Sequence, residues 1–309
     1  MRSILAGISA ALLLVVGLAA GAWAQNGLER FEKDIKPQLE LKKFSYASAE
    51  PLGNAGFVLN DVVAVVPANQ ATGDKESTVK IHKVTVEELD FDRMKKGAKD
   101  DETPRFAKLK LEGMTGDDDM FTALAPYGVP NVPFDVDLDY RIDPATKVLD
   151  LKKLEMNMRG QAKITLALVI DGISDATGMA GAKDDGKLRT ASLTIDDSGL
   201  LAKLVPAYAK EESVKPEELV KTALAAIAAF AEMQGPDTLK ALDAVASFVA
   251  AWKAPKGPLT LGLKPAKTAG LADLDKVMVP DALTSVFGFT ATYPGTENGA
   301  AKGGATAAK

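Results

Sequence analysis

The stretch Leu149-Asp150-Leu151-Lys152-Lys153-Leu154-Glu155-Met156 has an order of apolar and polar residues that occurs twice more in the chain. The other copies are Leu39-Glu40-Leu41-Lys42-Lys43-Phe44-Ser45-Tyr46 and Val79-Lys80-Ile81-His82-Lys83-Val84-Thr85-Val86. Because side chains alternate between the faces of a strand, two successive polar residues would switch the buried face. A β-bulge that absorbs one extra residue prevents the switch. The sequence therefore predicts a bent, bulged strand that is used three times.

Other segments alternate strictly between apolar and polar residues. Between Phe134 and Ile142 the apolar residues alternate with Asp135, Asp137 and Asp139, and a second alternating run extends from 162 to 170. One-sided alternation joined by short turns is typical of antiparallel strands in a meander.

The pattern changes to helical spacing at the capping cluster Asp196-Asp197-Ser198. Pro216 and Gly235-Pro236 mark the ends of an Ala-rich helix, whose apolar residues point in several directions and predict cover on two sides. Two late strands follow, near 259–263 and 287–293. We therefore expect an α+β fold: a curved antiparallel β-meander sheet with a C-terminal Ala-rich helical hairpin packed on it and two late strands.

The predicted organisation is a signal peptide over 1–24, a single α+β domain over 25–294 with a helical insertion at about 197–253, and a disordered tail over 295–309. The tail is small, polar and repetitive, which is typical of disorder.

The N-terminus predicts export. Met1-Arg2-Ser3 precedes an apolar run that ends in Ala22-Trp23-Ala24, the pattern of a secretory signal peptide cleaved after Ala24. The alternative is an uncleaved membrane anchor, which would be the chain's one link to a membrane. The chain has no cysteine, so the expected periplasmic protein is not a lipoprotein and has no disulfides.

The composition disfavours two classes of partner. Hydrophobic residues make up 47% of the chain, charged residues 26%, and the formal net charge is −5. Because lysines and carboxylates are interspersed, no basic stripe is available for phosphates. Nucleic acids and anionic membrane surfaces are therefore poor candidates.

Two motifs suggest catalysis, and neither is complete. His82 is the single histidine, but a catalytic base needs a positioned nucleophile, and the chain has neither a cysteine nor a Gly-x-Ser-x-Gly elbow. Ser77-Thr78-Val79-Lys80 matches the Ser-x-x-Lys of penicillin-binding enzymes, but Ser-Asp-Asn and Lys-Thr-Gly are absent. We expect a solvated or structural His82, a chance Ser-x-x-Lys match and no enzymatic activity.

Two aspartate groups suggest calcium. An EF-hand loop starting at Asp135 would need glycine and glutamate where Tyr140 and Thr146 stand. Asp135, Asp137 and Asp139 are better interpreted as the wet face of a strand, and Asp117-Asp118-Asp119 as a loop leading to a helix cap. No catalytic, cofactor-binding or metal-binding residue is predicted, and no cofactor.

Several stretches carry a family resemblance. The repeated strand, Leu193-Thr194-Ile195-Asp196-Asp197-Ser198-Gly199-Leu200 and Pro258-Leu259-Thr260-Leu261 resemble segments of exported, uncharacterised β-rich proteobacterial proteins and, more remotely, AsmA-like envelope lipid-transfer proteins. The resemblance covers much of 38–293 and implies no particular functional residue.

The leading hypothesis is a non-enzymatic periplasmic protein whose curved sheet binds an apolar ligand, chiefly lipid, or an envelope partner. One alternative is a structural envelope module that binds another protein through a sheet edge or the Ala-rich helices. A third hypothesis is a hydrolase with paired carboxylates. The helices filling the concavity as an ordinary core would oppose ligand binding, whereas an exposed Trp252 or Phe287 would favour a ligand or partner.

Overall fold

The computed structural model describes residues 26–68, 75–94, 104–117, 122–173, 186–270, 273, 279 and 282–296. Contacts divide the chain into unit 1 (1–126, 130–159 and 173–180) and unit 2 (127–129, 160–172 and 181–309). The single domain predicted over 25–294 stays a prediction, because two compact units can still fold together. The predicted signal peptide lies outside the described residues.

Unit 1 is an antiparallel meander preceded by a short helical segment. Its chain begins with α1 (Gly27–Arg30), a π-helical turn (Phe31–Ile35) and a 3₁₀ turn (Lys36–Gln38). The strands are β1 (Lys43–Ser45), β2 (Ser48–Leu52), β3 (Gly56–Val66), β4 (Ser77–Leu89), β5 (Phe106–Gly116), β6 (Phe134–Asp143) and β7 (Val148–Met158). Both β1 and β2 pair with β3, and from β3 to β7 each strand pairs with the next.

The helical segment closes one end of the unit 1 core. Phe31 and Ile35 are buried, and the Phe31 ring stacks on Phe57 with 4.7 Å between centroids. Phe91 and Met94, in a 3₁₀ turn (Phe91–Met94), are buried in the same core.

The third copy of the repeated pattern contains the predicted bulge. In the β6–β7 ladder Asp139 is opposite Lys153 while Tyr140 is opposite Leu151, so Lys152 is the extra residue. Because one lysine is absorbed, the leucines on both sides of the lysine pair pack against the core of unit 1.

The second copy lies in β4 and has no bulge at its polar pair. Ile81 and Val84, on either side of His82-Lys83, both pack in the core although the register with β5 does not shift between them. At the level of His82 the neighbouring strands carry Asp61 and Gly113, whose φ angles are 51° and 67°. The bulge of the β4–β5 ladder lies between Val86 and Glu88, so the bulge predicted at the polar pair of this copy is wrong.

The prediction for the first copy is wrong. Of Leu39–Tyr46, only Lys43–Ser45 forms a strand, and the Leu41 N–H instead donates to the Leu39 carbonyl over 2.7 Å. The preceding 3₁₀ turn contains Pro37, and β1 pairs with β3 alone in the described sheet. An edge segment with few ladder bonds does not enforce strand geometry on its pattern.

Unit 2 combines a helical insertion with antiparallel strands. Its elements are β8 (Ala162–Asp171), β9 (Lys187–Asp197), α2 (Leu201–Glu211), α3 (Pro216–Glu232), α4 (Pro236–Ala250), β10 (Leu259–Leu263), β11 (Ala269–Gly270), α5 (Ala282–Ser285) and β12 (Phe289–Thr292). The strand order is β8–β9–β10–β12, with β11 paired to β9. The helix α4 packs against β12 and β10, which buries Phe248 beside Leu259 and Ala291.

The predicted fold class is confirmed: the described strand pairs are antiparallel, and the helices lie between β9 and the late strands as in an α+β fold. Asp197 acts as the predicted cap, since its carboxylate accepts the Leu201 N–H at 3.0 Å. Gly295 and Thr296, placed in the disordered tail, are described, and the buried Thr296 hydroxyl donates to the Tyr293 carbonyl. The predicted disorder is therefore wrong for these two residues, and 297–309 lie outside the described residues.

The expected two-sided cover of the Ala-rich helix is wrong. No residue of α3 is buried, although Leu219, Leu224, Ile227 and Phe230 are half-buried. Among the helices of the described residues, none is long and apolar enough to cross a bilayer.

Candidate functional site

His82 is in a surface position. Its side chain is 74% exposed, and Nδ1 lies 3.1 Å from Oδ1 of Asp61, which is also exposed. The pair links neighbouring residues of β3 and β4 at the surface, which fits the predicted solvated or structural role.

Ser77 and Lys80 are separated by the geometry of β4. Residues three apart on a strand point to opposite faces, and Ser77 is buried whereas Lys80 is exposed. The two side chains therefore do not converge as the Ser-x-x-Lys chemistry requires.

The carboxylate of Asp135 accepts hydrogen bonds from groups outside its own strand. Arg159 donates to it through Nε and Nη2 at 2.9 and 2.7 Å, Asn157 through Nδ2 at 3.1 Å, and Gly113 through its backbone N–H at 2.7 Å. Burial raises the pKa of Asp135, but the bonds from Arg159, Gly113 and Asn157 together hold that pKa below its usual value. These hydrogen bonds tie Asp135 to the irregular segment of β5. Its carboxylate oxygens are already used as acceptors and are not free to bind a metal ion.

Two more aspartates of these groups also accept hydrogen bonds from residues of neighbouring strands. Asp137 accepts from Lys153 Nζ at 2.8 Å, and Asp117 accepts the Thr78 N–H at 2.6 Å. Asp118 and Asp119 lie outside the described residues. Within the part of the chain that the structure describes, no group of three or more histidine, aspartate or glutamate side chains is placed to hold a metal ion.

The carboxylates with shifted pKa values are poor general acids. Hydrogen bonding from Thr146 lowers the pKa of Asp143, and hydrogen bonding from Lys253 lowers that of Glu217. A glycosidase-type acid needs a raised pKa, so neither residue supports the paired-carboxylate hypothesis.

The strands of unit 2 present one apolar face in three cross-strand rows. The rows are Ile164–Ile195–Leu259, Leu166–Leu193–Leu261–Ala291 and Leu168–Ala191–Leu263–Phe289. Leu259 and Ala291 are buried where α4 covers β10 and β12, whereas the members on β8 and β9 are half-buried. We call Ile164, Leu166, Leu168 and Leu193 the apolar shelf.

The opposite face of the same strands is polar. Thr165, Thr194, Thr260 and Thr292 form one row across β8, β9, β10 and β12, and the hydroxyls of Thr194 and Thr260 lie 3.2 Å apart. Unit 2 therefore has an apolar face and a hydroxyl face, and α4 covers the apolar face at its β10–β12 end.

Trp252 and Phe287 do not contribute to an open surface. Trp252 is 7% exposed and Phe287 is 1% exposed, so both are core residues. The alternation from 162 to 170 did indicate an apolar face. It carries no information on which strands of that face α4 packs against. The sequence reasoning therefore missed the apolar shelf.

The described residues define an α+β protein with an antiparallel meander and a helical insertion. A family model described as "Uncharacterized protein" matches residues 135–294, which is more than half of the chain, and the chain belongs to that family. The match includes β8, β9 and α4, and thus the whole apolar shelf. No curated protein matches the chain.

Proposed function

We propose that the protein is exported to the periplasm and binds the acyl part of a lipid without catalysing a reaction. The observation that carries this proposal is that the four large apolar side chains of the shelf lie on one face of β8 and β9 and are half-buried instead of buried.

The shape of the shelf favours an acyl chain over a protein surface. From Ile164 to Leu168 the strand advances about 13 Å, and two neighbouring strands make a strip roughly 10 Å wide. The resulting area of roughly 130 Å² is far below the ~800 Å² that each partner contributes to a stable protein interface. A single extended hydrocarbon chain fits such a narrow strip.

The same area predicts weak, exchangeable binding. At about 25 cal/mol per Å², covering the shelf contributes about 3 kcal/mol, and the chain that covers it adds a similar amount. Lost translational freedom opposes this gain, so a lipid should bind reversibly instead of being locked in.

The proposal is tested by native mass spectrometry of protein purified from periplasm, recorded with an excess of an added single-chain lipid. We expect a lipid-bound species of the wild-type protein and loss of that species in Leu166→Gln. Ala167→Gln is the matched control, since Ala167 is the next residue of β8, also half-buried and on the opposite face. If the wild type carries no lipid, or both variants lose it equally, the shelf does not bind acyl chains.

A second candidate function, a structural envelope module, is favoured by α3. Ala225, Ala226 and Ala229 are exposed on this helix, and Met233 at its end is 51% exposed. Residues 222–231 contain no charge. Small side chains let another helix approach closely, so the fitting occupant is an apolar helix of an envelope protein.

In intact cells, a photo-crosslinking residue at Ala226 distinguishes this candidate from lipid binding. A stoichiometric protein adduct at Ala226, absent when the crosslinker replaces the exposed Lys240 of α4, supports the envelope partner. An uncrosslinked monomer at both positions contradicts it.

A further inference from the structure

Unit 1 contains a surface pocket that is separate in sequence and composition from the apolar shelf. Its volume is about 340 Å³, and its lining includes Arg30, Arg141, Glu88, Leu89, Phe91 and Phe106. The volume is within the range of small-molecule sites, about 300–1,000 Å³. We refer to it as the arginine pocket.

Each arginine of the pocket lies on an aromatic ring. The guanidinium carbon of Arg30 is 4.7 Å from the centre of the Phe91 ring, and that of Arg141 is 4.8 Å from the centre of the Phe106 ring. Arg141 and Phe106 are also cross-strand partners on β6 and β5. Stacking fixes the plane of each guanidinium and leaves its N–H donors to bond in that plane.

Each arginine also holds one carboxylate through one nitrogen. Arg30 Nη2 donates to Asp92 at 2.8 Å, and Arg141 Nη2 donates to Glu88 at 2.7 Å. A guanidinium has five N–H donors, so one carboxylate oxygen on each arginine leaves donors for a further acceptor. Both ion pairs are partly exposed and therefore exchangeable with a ligand.

The remaining lining is apolar except for the exposed Asn54. Leu89 and Phe91 are buried in the unit 1 core. Gly27 also lines the pocket, where an added Cβ would clash with the Ala55 carbonyl oxygen, so α1 is packed tightly against the β2–β3 turn. The pocket thus offers fixed guanidinium edges beside an apolar floor.

We propose that the arginine pocket binds a small monoanionic carboxylate that carries an apolar body. The in-plane donors of Arg30 and Arg141 take the carboxylate, and Leu89, Phe91 and Phe106 contact the body. Glu88 and Asp92 balance the two arginines, so a doubly charged phosphate is disfavoured relative to a single carboxylate.

Isothermal titration of the full chain with 4-phenylbutanoate tests this site, with 4-phenylbutanol and inorganic phosphate as comparison probes. We expect 4-phenylbutanol to bind at least about tenfold more weakly than 4-phenylbutanoate, because the alcohol loses a charge-assisted hydrogen bond. We expect inorganic phosphate not to compete with 4-phenylbutanoate. Equal binding of the alcohol, or competition by phosphate at similar concentrations, overturns the proposal.

Substitutions of Arg30 and Arg141 test whether these two side chains bind the carboxylate. Arg30→Gln and Arg141→Gln should each lower the affinity for 4-phenylbutanoate by about tenfold. Arg30→Lys should lower it as well, because lysine lacks the planar edge of a guanidinium. Arg189→Gln is the matched control, because Arg189 is a strand arginine paired to Asp171 at 2.6 Å in unit 2. Thermal unfolding without ligand identifies any variant that has failed to fold.

The outcome is independent of the lipid proposal. Leu166→Gln should leave 4-phenylbutanoate binding unchanged, whereas Arg30→Gln should leave the lipid-bound species in native mass spectrometry unchanged. Retained carboxylate affinity in both Arg30→Gln and Arg141→Gln contradicts the arginine pocket whatever the shelf binds.

Discussion

At the scale of single residues, Asp135 shows how the sheet of unit 1 holds its irregular region. It lies on β6, yet it binds the Gly113 N–H on β5 and the side chains of Arg159 and Asn157. The sequence correctly predicted a polar strand face here. The partners lie more than twenty residues away along the chain, and alternation within β6 says nothing about them.

We predict that Asp135→Asn destabilises the fold by about 1–3 kcal/mol at neutral pH, because a charged acceptor with several donors is lost. The folded pKa of Asp135 is lowered, so its contribution is complete above the unfolded pKa of about 3.9 and disappears as the pH falls through the folded pKa. Urea unfolding should show a constant gap between wild type and variant from about pH 5 to 8 that closes in more acidic solution.

The matched control is Asp61→Asn, since Asp61 is 64% exposed and its partner His82 is 74% exposed. It should change the free energy of unfolding by less than about 0.5 kcal/mol. A gap for Asp135→Asn that stays constant down to about pH 2 would show that its charge has no part in the effect.

At the scale of elements, the repeated pattern predicts a strand correctly where the segment has two neighbouring strands and fails where it has one. The predicted bulge is found at Lys152 in the β6–β7 ladder, whereas β4 keeps its register with β3 and β5 at His82-Lys83. The first copy lies at the β1 edge, where only Lys43–Ser45 forms a strand. Local pattern therefore specifies geometry only where ladder hydrogen bonds enforce it.

We predict that deleting Lys152 is tolerated better than deleting Asp150. Without Lys152, the segment alternates regularly and its leucines remain on one face, because the deleted residue is the bulge. Without Asp150, the residues before it change faces, which moves the buried Leu149 away from its present side.

Urea unfolding of the two deletion variants checks this, with far-ultraviolet circular dichroism to confirm folding. Removing one large buried side chain costs about 2–5 kcal/mol, so the Asp150 deletion should be the less stable variant by at least about 2 kcal/mol. Equal loss in both would mean that the bulge at Lys152 is needed for more than register.

At the scale of the whole molecule, the order of strands, helices and late strands was predictable from periodicity. The helical insertion expected at about 197–253 is observed from Leu201 to Ala250. The extent of helix cover was not predictable: α3 has the most continuous apolar sequence but no buried residue. Burial depends on which elements meet, and helical periodicity reports only the face that is available.

Export is the prediction that concerns the whole chain. Cleavage after Ala24 would leave Asn26 in place, and the Asn26 side chain accepts the Glu29 N–H at 3.0 Å as the cap of α1. Phe31 and Ile35 would likewise remain in the unit 1 core. The mature chain thus keeps every described contact of its first helix.

We therefore expect intact-mass measurement of periplasmic extract to give a chain that starts at Gln25. Ala24→Lys should block processing, because the cleavage site needs a small residue there, and should leave the uncleaved chain with the membrane fraction. The substitution changes none of the described residues. The thermal unfolding of the Ala24→Lys variant after release in detergent should therefore match that of the wild type. Full-length wild-type chain in the cytoplasm would contradict export, and with it the periplasmic setting of both proposed ligands.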